Sequence, residues 1–157
     1  MFLNNSYFNV AVAMRNPFDE LNNEKIRNVR NTNKSLYNCG GYALDTFNWF
    51  MPYDENIFDS KKRHQQEMVD YMLNLFSDKL RLINSLDEIG KNENAIAFRC
   101  GNNDFHFMIR KDNKIWYHKR GSFSKIERIS KEDVFNDGWK SNGLNYDGKL
   151  YLLALQK

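Results

Sequence analysis

The chain has 157 residues, with 23 Lys and Arg against 20 Asp and Glu, a net charge of +3 at pH 7. One domain spanning residues 1–157 is expected at this length, and folding should bury roughly 70% of the surface that the unfolded chain exposes. Twelve Phe, eight Tyr and three Trp exclude the disordered and low-complexity classes, and two Cys cannot build a disulfide framework.

The N-terminal stretch lacks a basic segment, and Asn4, Asn5 and Asn9 interrupt any apolar run. No signal peptide is expected, so the protein is expected to act in the cytosol where it is made, or to be delivered, for instance with a virion. Tyr7–Met14 can form an edge strand. A helix is predicted to start at Cys39, because Cys39, Ala43, Phe47 and Phe50 form one stripe at i, i+4, i+8 and i+11, with Pro52 as its stop. The run Lys61-Lys62-Arg63-His64 lies where a second helix should begin and reads as a solvated face, so no nucleic-acid partner is expected. Ser60 is the predicted cap of that helix, and Met68, Tyr71, Met72, Leu75 and Phe76 recur at helical spacing. No apolar run reaches the ~18 residues of a membrane helix, so no membrane partner is expected.

After Asp78 the pattern changes to strands. Leu80–Ile83 and Ala95–Cys100 are candidates, and Phe105–Arg110 and Lys114–His118 flank a hairpin turn at Lys111-Asp112-Asn113. Phe123–Ile129 adds another strand, Ser130-Lys131-Glu132-Asp133 opens a short helix, and Tyr151–Leu155 closes the chain as a strand. Helices first and an antiparallel run afterwards predict an α+β architecture with N-terminal helices packed on the sheet.

Asn38-Cys39-Gly40-Gly41 is the segment richest in chemistry. A thiol at a helix start meets unpaired N–H groups and the positive end of the helix dipole, both of which favour thiolate. The two glycines suit a place where backbone must approach closely, such as beside a substrate; the other reading is a small buried thiol in a glycine turn. A nucleophilic thiol needs a base that later acts as an acid. His106 sits on a strand otherwise lined with bulky apolar residues, and a turn centred on Asp112 would set His118 opposite it or nearly so, where one imidazole can orient the other.

These residues resemble a known family. Asn38-Cys39-Gly40-Gly41 is similar to the Asp-Cys-Ser-Gly helix start of NlpC-type cysteine peptidases in the papain-like superfamily, and Asp87–Phe98 resembles the strand that precedes their histidine. His106 through Gly121 resembles their His-bearing hairpin, with the order Cys, His, His kept over about residues 33–121. Asn stands for Asp before the cysteine, Gly40 for Ser, and no Pro-Gly-Asp precedes Ala95. Asp-Phe-His-Phe with Trp-Tyr-His-Lys-Arg-Gly also resembles uncharacterised phage and bacterial proteins. The resemblance implies a papain-like fold and a hydrolase cleaving amide or isopeptide bonds, cell-wall peptides among them, without metal or other cofactor. Cys39 is then the nucleophile, His106 the base and acid, and His118 the orienter, with a pH profile bounded by a thiolate–imidazolium pair. Asn33, six residues before Cys39, matches the oxyanion-hole Gln of papain-like peptidases, and Tyr37 can play the same part. The alternative is a non-catalytic phage or bacterial structural or inhibitory protein on the same fold, whose partner is a protein target instead of a peptide substrate.

The remaining candidates read as structural. Cys100 ends an apolar strand and His64 lies on a charged turn. Cys39, Cys100, His106 and His118 together form a zinc-compatible set, but no C-x-x-C or H-x3-H spacing supports it, so no metal is expected. Trp49 and Trp116 are core residues or walls of a substrate groove.

Overall fold

The computed structural model describes residues 36–54, 60–121 and 124–157. Asn33 and the candidate strand Tyr7–Met14 lie outside the described residues. Among those described, helices and an antiparallel sheet give an α+β architecture.

Helix α1 is Cys39–Ala43 alone, shorter than the apolar stripe suggested. Gly41 explains the early stop. Its carbonyl accepts the N–H groups of Thr46 and Phe47 at 3.1 and 2.9 Å, which folds the following loop back on the helix. Asp45 and Phe47 take left-handed φ values of 58° and 52° in that loop. A Cβ on Gly41 would lie 1.9 Å from the Asn48 carbonyl oxygen, so this glycine admits the chain's own loop and not a substrate. Phe47 and Phe50 still reach the core, from a loop instead of a helix.

Helix α2 (Gln65–Leu75) follows a 3₁₀ turn over Lys62–His64. Ser60 does not cap it; its hydroxyl donates to Asn102 Oδ1 at 3.2 Å. In the turn, Lys62 pairs with Asp147 at 3.2 Å and His64 with Glu67 at 2.7 Å, in keeping with a solvated basic face. Met68, Val69 and Met72 form the buried stripe of α2, three apolar positions within two turns.

The sheet holds β1 (Leu80–Ile83), β2 (Glu93–Cys100), β3 (Phe105–Arg110), β4 (Trp116–Lys119), β5 (Ile126–Ile129) and β8 (Tyr151–Gln156), in the order β1-β8-β2-β3-β4-β5. The last strand therefore inserts between β1 and β2, antiparallel to both, with Ile96 opposite Leu153. Helix α3 (Lys131–Val134) is capped by Ser130, whose Oγ accepts the Asp133 N–H at 3.1 Å. β6 (Lys140–Ser141) and β7 (Leu144–Asn145) form a small hairpin of their own, turned by Asn142 and Gly143 at φ 52° and 77°. Asn-Gly with both φ values positive suits the twist of adjacent strands.

β2 is buried on both faces from Ala95 to Cys100, as its apolar run over residues 95–98 anticipates and as Arg99 does not. Ile96, Phe98 and Cys100 pack under α1, α2 and the loop that carries Phe47 and Phe50. Ala95 and Ala97 face a second cluster with Met108, Trp116, Val134, Trp139 and Tyr146. The segment from α3 to β7 thus covers the sheet face opposite the helices.

Candidate active site

The site forms where two strands part. β3 and β4 pair at Ile109↔Tyr117 and Arg110↔Trp116. This register turns one residue later than a centre at Asp112 would, so His118 extrapolates to a position opposite Met108 and Arg120 to one opposite His106. His106 and His118 are diagonal neighbours on one sheet face, a separation that long side chains bridge. Their rings meet: His106 Nε2 lies 2.9 Å from His118 Nδ1, so one ring donates and the other accepts. His106 Nδ1 is the nitrogen left for the cleft.

α1 begins at this opening. Cys39, 6% exposed, accepts hydrogen bonds at its sulfur from the backbone N–H groups of Phe107 and Gly40. Cys39 and His106 line one cleft of about 290 Å³, together with Trp49, Asp104, Arg120 and Tyr146. Cys39 and His106 thus share one cleft, and His118 meets His106 from outside the cleft lining. Trp49 walls the groove, Trp116 belongs to the core, and Tyr37 is fully buried against Phe47, outside the cleft lining.

The electrostatics differ from the expectation of a ready thiolate. Burial pushes the Cys39 thiol up to about 12, with Asp104 adding to the rise; the Phe107 and Gly40 N–H groups and Lys119 oppose it without overcoming it. A helix of five residues contributes little dipole against that desolvation. Burial also holds His106 well below the ordinary histidine value, helped by His118, Arg120 and Arg99. His118 is lowered to about 4, again chiefly by burial and then by Arg120, against the pull of Glu127 and Asp133. At neutral pH the site rests as a thiol and two uncharged imidazoles.

Three further residues of the site carry a signal in the sequence. Trp139 stacks on His106 with ring centroids 5.1 Å apart and 29° between planes. Tyr146 lies 5.6 Å from the same ring and donates its hydroxyl to Asp104 Oδ2 at 2.7 Å. Both rings hang from the Asn-Gly hairpin, the strongest short hairpin signal in the chain. Asp104 stands two residues before His106. Its other oxygen accepts the Phe105 N–H at 2.8 Å.

No family model, curated protein or solved structure matches this chain. The site's chemistry is argued from its own residues. Among the described residues, no group of three His, Cys, Asp or Glu side chains is placed to hold a metal ion. Cys100 is fully buried with its sulfur 3.7 Å from Met68 Sδ.

Asn38 accounts for its own departure from the Asp-Cys pattern. Its Oδ1 accepts the N–H groups of Gly41 and Phe50 at 3.0 and 3.1 Å, and its Nδ2 donates to the Phe50 carbonyl at 2.7 Å. The amide thus caps α1 and clasps Phe50 with both halves, whereas a carboxylate can only accept. Asn38→Asp should leave the buried Phe50 carbonyl without its donor and set an anion against it. A loss of about 1–3 kcal/mol is expected, read as a lowered midpoint in denaturant unfolding. An unchanged midpoint would show that the clasp is dispensable.

Proposed function

We propose that this chain is a papain-like cysteine hydrolase, related to NlpC-type peptidases, that cleaves an amide or isopeptide bond. The observation that carries the reading is the 2.9 Å His106–His118 pair lining, through His106, the same cleft as Cys39. A nucleophile, a base and a group that orients the base are the parts that acyl transfer requires.

The resting charges favour a neutral version of that chemistry. As Cys39 Sγ attacks the scissile carbonyl carbon, its proton passes to His106 Nδ1, and the His106 Nε2–H is shared with His118 Nδ1. The carbonyl oxygen takes the developing negative charge, and the Cys39 N–H at the α1 start is the donor proposed to meet it. His106 then returns its proton to the leaving amine as the C–N bond breaks, which leaves a thioester. Water adds to the thioester carbon and gives a proton to His106, and the acid departs as the C–S bond breaks and Sγ regains a proton. Activity should rise with pH as the histidine pair becomes uncharged, in place of a bell bounded by an ion pair. Cell-wall peptide is the substrate class that the resemblance brings, and Asn33 stays the proposed oxyanion partner on the same footing.

One observation favours the second reading, a papain-fold binding protein without turnover: the Cys39 thiol is buried and pushed up to about 12. Alkylation with iodoacetamide at neutral pH, resolved to Cys39 by peptide mass spectrometry, separates the two. A hydrolase's folded Cys39 should label with the help of His106 as base, so His106→Ala should slow its labelling in the folded state and leave the denatured rate unchanged. Slower labelling in the folded state, unaffected by His106→Ala, would leave the binding reading standing.

A further inference from the structure

Arg99 is fully buried, and among the described residues no carboxylate bonds it. Its Nη1 donates to the carbonyls of Asn136 and Tyr146 at 2.5 and 3.3 Å, and its Nη2 to that of Val134 at 2.7 Å. Its Nε is buried and has no hydrogen-bond partner among the described residues. A cation taken from water this way is normally paired with an acid. Here dipoles hold it, and Asp137 is the acid whose field reaches it.

The placement relative to the histidines is specific. Arg99 on β2 is the direct register partner of His106 on β3, so both side chains lie on the same sheet face. The three carbonyls that Arg99 holds bracket Trp139 and adjoin Tyr146, whose rings cover His106. Arg99 therefore fastens the aromatic cover to the sheet and places a positive charge beside the imidazole that the cover dries.

We propose that Arg99 is a positioning residue for the histidine pair: its clasp seats the aromatic cover on His106, and its charge beside that ring keeps the ring unprotonated where an ordinary histidine would carry a proton. The other groups facing the pair are accounted for. His118 on β4 and Arg120 just beyond it act in the same direction on His106. Glu127 on β5 and Asp133 on α3 act oppositely on His118. Glu127 is held by Arg120 at 3.0 Å, and Asp104 is engaged by Tyr146, so neither acid is unpartnered. The desolvated Cys39 thiol, uncharged at neutral pH, adds no field. Lys119 beside His118 is fully buried as well, with its Nζ donating to the Gly121 carbonyl at 2.8 Å and lying over the Tyr37 ring. Arg99 is the buried cation that stands at the register position of His106 itself.

The test is a titration and rests on the histidine geometry, not on turnover. Histidine ring nitrogens of ¹⁵N-labelled protein are followed by NMR from pH 4 to 8 in the wild type, Arg99→Met and Arg99→Lys. Both paired imidazoles should titrate below the ordinary range in the wild type. Arg99→Met should move the pair upward by about one unit, the scale of a nearby charge, whereas Arg99→Lys should hold it near the wild-type value. A folded Arg99→Met protein with an unmoved pair would overturn the proposal. So would a wild-type pair that titrates at or above the ordinary value, which needs no variant to fold. Cys39 labelling rates from the same samples are independent, so the hydrolase reading can fail while this one stands.

Discussion

His106→Ala should lower turnover of an amide substrate by about 10²–10⁴-fold or more, the usual consequence of losing a general base. The neutral resting thiol sharpens this expectation. With Cys39 at about 12, almost no thiolate exists at pH 7 without a base to take the proton, so little activity can bypass His106. His118→Asn should be milder, because an amide oxygen can still accept from His106 Nε2 and keep the ring oriented. It should retain partial activity, with kcat reduced more than KM is raised. Equal losses in two folded variants would show that His118 exchanges the proton itself and that the roles are wrongly divided between the rings. Cys39→Ser sets the floor against which both are measured.

The histidine hairpin was legible because local rules decide it. Alternation set His106, Met108 and Arg110 on one face, and Lys111-Asp112-Asn113 marked the turn, although the register came out one residue later. That shift moved His118 from opposite His106 to diagonal and left the two rings in contact. The length of α1 was not legible, since a loop can carry Phe47 and Phe50 into the core as well as a helix can. The clue lay in Gly41, whose missing side chain makes room for Asn48. The insertion of β8 between β1 and β2 depends on pairing over some sixty residues, which no window of local sequence encodes. The thiol's proton affinity lies beyond local sequence for a related reason. A helix start is visible in sequence, but the burial that outweighs it comes from the cluster that holds Phe98, Phe105 and Phe107, brought in by strands far along the chain. The burial of Arg99 is likewise beyond local sequence, because it depends on three main-chain carbonyls from later in the chain.

The same burial predicts acid sensitivity. His106 and His118 are held uncharged in the folded protein, His118 at about 4, whereas in the unfolded chain both regain the ordinary value near 6.5. Below pH 6.5 the unfolded chain therefore binds protons that the folded protein refuses, and stability must fall with pH across that interval. The contribution is complete above 6.5 and is withdrawn as pH drops toward the folded values. For His118 alone the interval corresponds to roughly 3 kcal/mol at ~1.4 kcal/mol per unit. That is a large share of the ~5–15 kcal/mol by which small domains are stable. Urea midpoints should accordingly decline steadily between pH 6.5 and 5, above the range where most carboxylates begin to titrate. A variant with both His106 and His118 replaced by Gln should be less stable at pH 7 and nearly flat over the same interval, because nothing in the site can then take up a proton. A wild-type midpoint that is level from pH 6.5 to 5 would mean that water reaches the two rings, and the neutral thiol–imidazole site drawn from their burial would have to be given up.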